Sequence, residues 1–302
     1  MASDWATNLD VLAAFDAGDF HQQAPKVPPP PAKGGTHSIS FLMSDGDNLQ
    51  FLVGGFATDT AHWGSPDRGT VSMGWTLSPA LAELAPAVLG YLYRTASPGG
   101  SPAAPPNTDG RDFAVSSVSG VGYAYPDLLK ADAPRLAAFV DASSQYLRKT
   151  DMRVVNILAA QDGAPSSSVV EAYLSRPEVD ALIWYPYSDY SGLSGAISWS
   201  KNGKPVIGGR ANLWGDGSGN SCGHQCNPQQ IVDLLLAQSR DPTSPEGYSL
   251  IPVHAWSHGV NDTLFIAQEL QRRAGGAVQV VTPDVLVARI IANVKPSNAK
   301  PF

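Results

Sequence analysis

"HSISFLMSDGDN", residues 37–48, joins a strand to a turn. Its first eight residues carry Ile39, Phe41, Leu42 and Met43 with only small serines and one histidine between and beside them, as in a buried strand. They stop at Asp45, Gly46, Asp47 and Asn48, all turn formers. The same change of character recurs down the chain. Strand patterns are read at 69–77, 112–118, 153–160, 180–187, 204–210, 248–256 and 277–283. Helical patterns separate them at 78–96, 133–150, 166–176, 228–239, 261–273 and 283–293. Ser78 is read as an N-cap with Pro79 at the first helical position, and Pro86 as a kink. Eight apolar strands alternating with helices predict a (β/α)8-like barrel of TIM type, irregular in detail. The alternative is an open doubly wound α/β sheet.

Ahead of this unit, residues 1–36 hold a short amphipathic segment (8–15) and then "KVPPPPAKGG", an extended connector. Residues 37–296 are read as one catalytic domain and 297–302 as a tail. A chain of 302 residues accommodates one barrel. Charged residues are 16% of the chain and the net charge is −7, with no basic stretch. That excludes nucleic acid, whose phosphates call for basic patches. No apolar run is long enough for a membrane span, and no signal peptide precedes "MASDW". A surface poor in charge and rich in Gly, Pro, Ser and Asn reads as secreted. Cys222 and Cys226, in "SCGHQC", are expected to form a local disulfide, with free thiols or metal binding through His224 as alternatives.

In a barrel of this kind the site lies where strands end. The first strand ends in Asp45, Asp47 and Asn48; the second in Trp75 or Thr76. The third ends in Ser119, Tyr123 and Tyr125; the fourth in Gln161 and Asp162. The fifth ends in Tyr185, Tyr187, Asp189 and Tyr190; the sixth in Arg210, Asn212 and Trp214. The seventh ends in His254, Trp256 and His258, with Asp262 a turn later, and the eighth in Thr282, read as a helix cap. Aromatic rings stack on the apolar faces of sugars, and paired carboxylates perform the acid–base work of glycoside cleavage. Two acids directly after a buried strand are costly to place without purpose. The candidate catalytic residues are therefore Asp45, Asp47 and Asp162. One of the first two would be general acid, with Asp162, or else Asp189, as base or nucleophile. Asn48, Trp75, Tyr123, Tyr125, Tyr185, Tyr187, Asp189, Arg210, Asn212, Trp214, His254, Trp256 and His258 are candidate substrate-binding residues.

"GVGYAYP" (120–126) carries a resemblance to the GxGYxYP family of putative glycoside hydrolases. The similarity extends over "FLMSDGDNLQF" (41–51), "MGWTLSPALAELAP" (73–86), "RVVNILA" (153–159), "GYSLIPVHAWSHGVNDT" (247–263) and "QVVTPDVLV" (279–287). It implies a barrel-like catalytic domain, a carbohydrate substrate and a further N-terminal domain beyond this chain. It transfers no catalytic residue. Within the motif, Tyr123 is read as a substrate platform and Tyr125 as packing beneath it. Two other functions stay open. "DGD" with His254 and His258 resembles the ligand set of polysaccharide deacetylases, which implies a divalent metal and carbohydrate ester chemistry. Aromatic residues alone would also serve a non-catalytic carbohydrate-binding module. Otherwise no cofactor is expected.

Overall fold

The computed structural model describes residues 7–16, 18, 20–23, 35–216, 222 and 225–296. Its strands are His37–Met43 (β1), Met73–Leu77 (β2), Asp112–Ser116 (β3), Val154–Ala159 (β4), Ala181–Pro186 (β5), Ile197–Trp199 (β6), Pro205–Gly208 (β7), Tyr248–Val253 (β8) and Val278–Val280 (β9). Its α-helices are Leu9–Ala13 (α1), Leu49–Val53 (α2), Leu81–Leu84 (α3), Pro86–Thr95 (α4), Ala133–Thr150 (α5), Ser167–Leu174 (α6), Pro228–Leu236 (α7), Val260–Ala274 (α8) and Pro283–Asn293 (α9). All strands form one sheet in the order β6-β7-β5-β4-β3-β2-β1-β8, with β9 paired to the start of β1. Every pairing is parallel except that of β6 with β7.

The order descends from β5 to β1 without the reversal a doubly wound sheet requires, so that alternative is set aside. The sheet curls instead into a half-barrel. Beyond β7, single parallel bridges at Gly209–Leu250 and Leu213–Val253 bring the chain against β8. Ladders of varying length join the other neighbours, down to the single pair Ser116–Val155 between β3 and β4, whereas here only isolated bridges form. The expected (β/α)8-like barrel thus takes the form of a curled, barrel-like α/β sheet, irregular where only bridges join the chain beyond β7 to β8.

Strand alternation explains why seven consecutive residues of β1 are buried. Ile39, Phe41 and Met43 pack outward in a core with Leu89, Leu136, Val170, Ile231 and Ile266 of the surrounding helices. Leu42 faces the other way, into a second core with Val115, Ile183 and Leu250 of the concave side. Helix α9 supplies Val285, Leu286 and Ile290 to that inner core. It is fastened by charge as well as by apolar packing. The buried Arg111 donates to Asp284 and Thr282, and Arg289 donates to Ser38 Oγ at 2.8 Å. Thr282 stands at the N-cap as read, but its hydroxyl serves Arg111 rather than the helix.

Several boundaries differ from the sequence reading. β2 begins at Met73, because Gly69 turns with φ +85° and Thr70 N closes on Asp67 O. The helix after it breaks at Ala85 ahead of Pro86, and its first segment starts at Leu81 with no side-chain cap. Ser78 contributes its carbonyl instead, which accepts from Leu81 N. The short strand β6 and helix α2 were not anticipated. In the N-terminal extension, Gln22 pairs its side-chain amide with both backbone groups of Ala114. The Cys222–Cys226 disulfide is formed, whereas His224 and most of the proline-rich connector lie outside the described residues. No helix among the described residues is long and apolar enough to cross a membrane. The disulfide is compatible with an extracellular setting.

Gly74 of β2 packs directly against the start of α9. A Cβ there would stand 2.5 Å from Pro283 Cγ and 3.0 Å from Phe41 O. Gly74→Ala is expected to push α9 outward and destabilise the fold by about 1–3 kcal/mol. A thermal melt reads this as a lowered Tm.

Candidate functional site

The loop leaving β1 is clamped to β2. Thr76 Oγ1 donates to Met43 O at 2.7 Å and accepts from Gly46 N at 2.9 Å. A Cβ on Gly46 would lie 1.7 Å from Thr76 O, so only glycine fits. To reach this position the chain turns through Asp45 at φ +67°, a left-handed conformation that Asp tolerates. Asn48 N then bonds Asp45 O at 3.1 Å, and Asn48 Oδ1 caps α2 by accepting from Phe51 N. Asn48, read as a substrate contact, thus holds the helix start with its side-chain oxygen.

Two carboxylates come out of this turn in different states. Asp45 accepts from Trp256 Nε1 at 2.9 Å and from Ser44 Oγ. Asp47 is half-buried, and its pKa rises from 3.8 to about 6. Burial is the main cause, and the nearby Asp45 charge adds to it.

Aromatic side chains lie near the pair: Trp256 bonds Asp45, Tyr123 feels the Asp47 charge, and Tyr190 feels both. The family-like motif supplies the first group. Gly120, at φ +114°, passes so close to Ser143 of α5 that a Cβ would meet its Oγ at 2.3 Å. Tyr123 and Tyr125 follow with ring centroids 5.5 Å apart and hydroxyls hydrogen-bonded at 3.0 Å. Tyr123 is 38% exposed, while Tyr125 is half-buried and meets Tyr187 edge-on at 5.9 Å. Pro126 opens a short 3-10 turn, and the buried Asp127 accepts from Ala160 N and Gln161 N. The motif therefore presents its tyrosines and also pins the loop after β4. Burial raises the Tyr123 pKa, with the Tyr125 hydrogen bond and the Asp47 charge adding to it.

Tyr190 begins the second group, and among the ranked candidates it was missed. It stacks on Tyr185 at 4.9 Å and meets Trp214 edge-on at 5.4 Å. Trp214 in turn stacks on His254 at 3.6 Å. Burial, followed by the charges of Asp45 and Asp47, raises the Tyr190 pKa, which places this phenol within reach of both acids' field. His254 Nδ1 lies 2.7 Å from Ser257 Oγ; burial lowers its pKa and Asp45 partly offsets that. Trp256, 54% exposed, completes the ring against Phe51 at 4.9 Å.

Other candidates fall outside this bowl. Trp75 is 1% exposed in the outer core, where its Nε1 donates to Asp112. It shares a strand face with Met73 and Leu77, and the residue of β2 that serves the site is Thr76. Tyr185 is 2% exposed and supports Tyr190 from beneath. Arg210 donates to the carbonyls of Ser194 and Tyr248, away from the acid pair. Asp189 Oδ1 accepts from Ser191 N, Ser191 Oγ and Asn212 Nδ2, so Asp189 and the buried Asn212 fix the loop that carries Tyr190. Asp162 is exposed and accepts from Ser188 on the rim, where it lines a separate polar pocket with Asp189 and Arg210.

The ligand set of the metal reading does not converge. His258 Nε2–H donates to Gly215 O at 2.7 Å, and its Nδ1 faces Asp262 at 3.1 Å. Asp262 also accepts from Gly259 N at the start of α8. Among the described residues no three His, Cys, Asp or Glu side chains are grouped to hold an ion.

Residues 35–290 match the GxGYxYP putative glycoside hydrolase C-terminal domain. The crystal structure of a putative hydrolase from Bacteroides thetaiotaomicron VPI-5482 superimposes with a TM-score of 0.80 at 29% identity. That similarity covers 96% of this chain and 52% of the other, so the chain spans about half the length of that protein. No curated protein matches the chain in sequence. With the motif at 120–126 and the family domain extending over most of its length, the chain belongs to the GxGYxYP family.

Proposed function

We propose that the chain is the catalytic domain of a secreted glycoside hydrolase, with Asp47 as general acid and Asp45 as its companion carboxylate. The observation that carries this reading is the raised pKa of Asp47 beside Asp45, at the floor of a bowl of tyrosines and tryptophans. A general acid works best when its pKa lies near the operating pH, and burial next to a second carboxylate is a physical route to that value. Asp47 gives its proton to the glycosidic oxygen as the C–O bond breaks. Asp45, held by Trp256 and Ser44, faces the positive charge that develops at the anomeric carbon. Water supplies the hydroxyl that replaces the leaving group. Tyr123, Tyr190 and Trp214 offer ring faces to the sugar. The family and its structural relative support a hydrolase; the substrate and these roles are the proposal.

Asp47→Asn tests it directly. On aryl glycosides and natural oligosaccharides, turnover is expected to fall by about 10²–10⁴-fold while binding persists. Unchanged turnover would point instead to a module that only binds sugar. In the unsubstituted protein, kcat should decline as the pH rises through about 6, where Asp47 loses its proton.

The same carboxyl limits stability. Its folded pKa lies above the ordinary 3.8, so the stability it lends is complete below that pH and lost as the pH rises through about 6. Asp47→Asn removes the charge that must otherwise be buried. The variant is expected to be more stable than the parent at pH 8, by on the order of 2 kcal/mol, and no more stable near pH 3.5. Denaturant melts at the two pH values check the sign.

A further inference from the structure

Resting on that reading, the structure assigns the site a substrate class: a neutral sugar, bound by ring faces and hydroxyl contacts, rather than a uronic or sulfated one. The argument is one of charge. Asp45 and Asp47 leave the same turn, and among the described residues the side chains acting on Asp47, Tyr123, Tyr190 and His254 are carboxylates, phenols and an imidazole, with no lysine or arginine.

Among the described residues, the loops that follow the strands on this face are 44–48, 78–80, 117–132, 160–166, 187–196, 209–216 and 254–259, and they contain two cations, Lys130 and Arg210. Neither serves the bowl. Lys130 Nζ donates to Gln161 on the exposed rim. The Arg210 guanidinium is spent on two carbonyls, lies beneath Gly195, and shares its pocket with Asp162 and Asp189. An anionic substituent on the sugar would therefore meet the Asp45 carboxylate at close range, with no lysine or arginine among the described residues to pair with it. At separations of about 5–6 Å that repulsion corresponds to a discrimination on the order of 100-fold. A neutral pyranose meets no such penalty, and Tyr123, Tyr187 and Trp256, all exposed, give it apolar faces on which to stack.

The test separates binding from turnover. Asp47→Asn is titrated by calorimetry and tryptophan fluorescence with cello-, xylo-, manno- and galacto-oligosaccharides, and with oligogalacturonate and oligomannuronate of matched length. At least one neutral series is expected to bind, with the matched uronate weaker by on the order of 30–100-fold at low salt. High salt, or the double variant Asp45→Asn/Asp47→Asn, should narrow that ratio, because either screens or removes the Asp45 charge that Asp47→Asn leaves in place. Uronates that bind as tightly as neutral chains, or no neutral series that binds, would overturn the inference. The hydrolase reading fails separately, if the unsubstituted protein leaves intact the neutral chain that its variant binds.

Discussion

The candidate chemistry depends on one backbone contact, the approach of Gly46 to the carbonyl of Thr76. With no room for a Cβ, the chain leaving β1 is pressed onto the end of β2 and must turn through a left-handed Asp45. That turn sets two carboxylates, with one residue between them, beside Trp256 and within the field of Tyr190. Burial and mutual repulsion then follow from position alone, and Asp47 moves to about 6. Thr76 closes the arrangement by bonding both sides of the turn with one hydroxyl. The acid pair is a product of sheet geometry as much as of two acidic side chains.

The bowl is built by secondary contacts that have no chemistry of their own. Asp189 and Asn212 hold the loop that turns Tyr190 inward, and Asp127 ties the tyrosine motif to the chain after β4. The ring series Tyr185, Tyr190, Trp214 and His254, stacked at both ends and edge-on between Tyr190 and Trp214, links β5 to β8 across the place where the sheet is joined only by bridges. Side-chain stacking there supplements a sparse ladder. On the opposite side of the molecule's core, α9 fills the concave face and leaves polar side chains to the strand ends.

The parallel sheet was legible because its strands are apolar runs that stop at turn formers, and the acids of "SDGDN" stood out because charge seldom follows a buried strand without use. The rest was hidden for identifiable reasons. Three-residue β6 is too short for a period, and Asn48 reads as a turn residue although it caps a helix. Trp75 and Thr76 are neighbours, and only the packing of Met73 and Leu77 decides which of them faces outward. Among the aromatics at 184–190, strand alternation ends at Pro186. Beyond it, the Asp189 turn rather than any period determines that Tyr190 reaches the acids. Arg210 ends a strand, as a site residue would, but its guanidinium is used by carbonyls that sequence does not reveal.

The account stands on the ionisation of Asp47. Carbon-13 NMR of the side-chain carboxyls, assigned by comparison with Asp47→Asn, measures it without a substrate. The predicted titration midpoint is about 6, falling towards the ordinary range when Asp45→Asn removes the neighbouring charge. A midpoint near 3.8 in the unsubstituted protein would contradict the assignment of Asp47 as the proton donor.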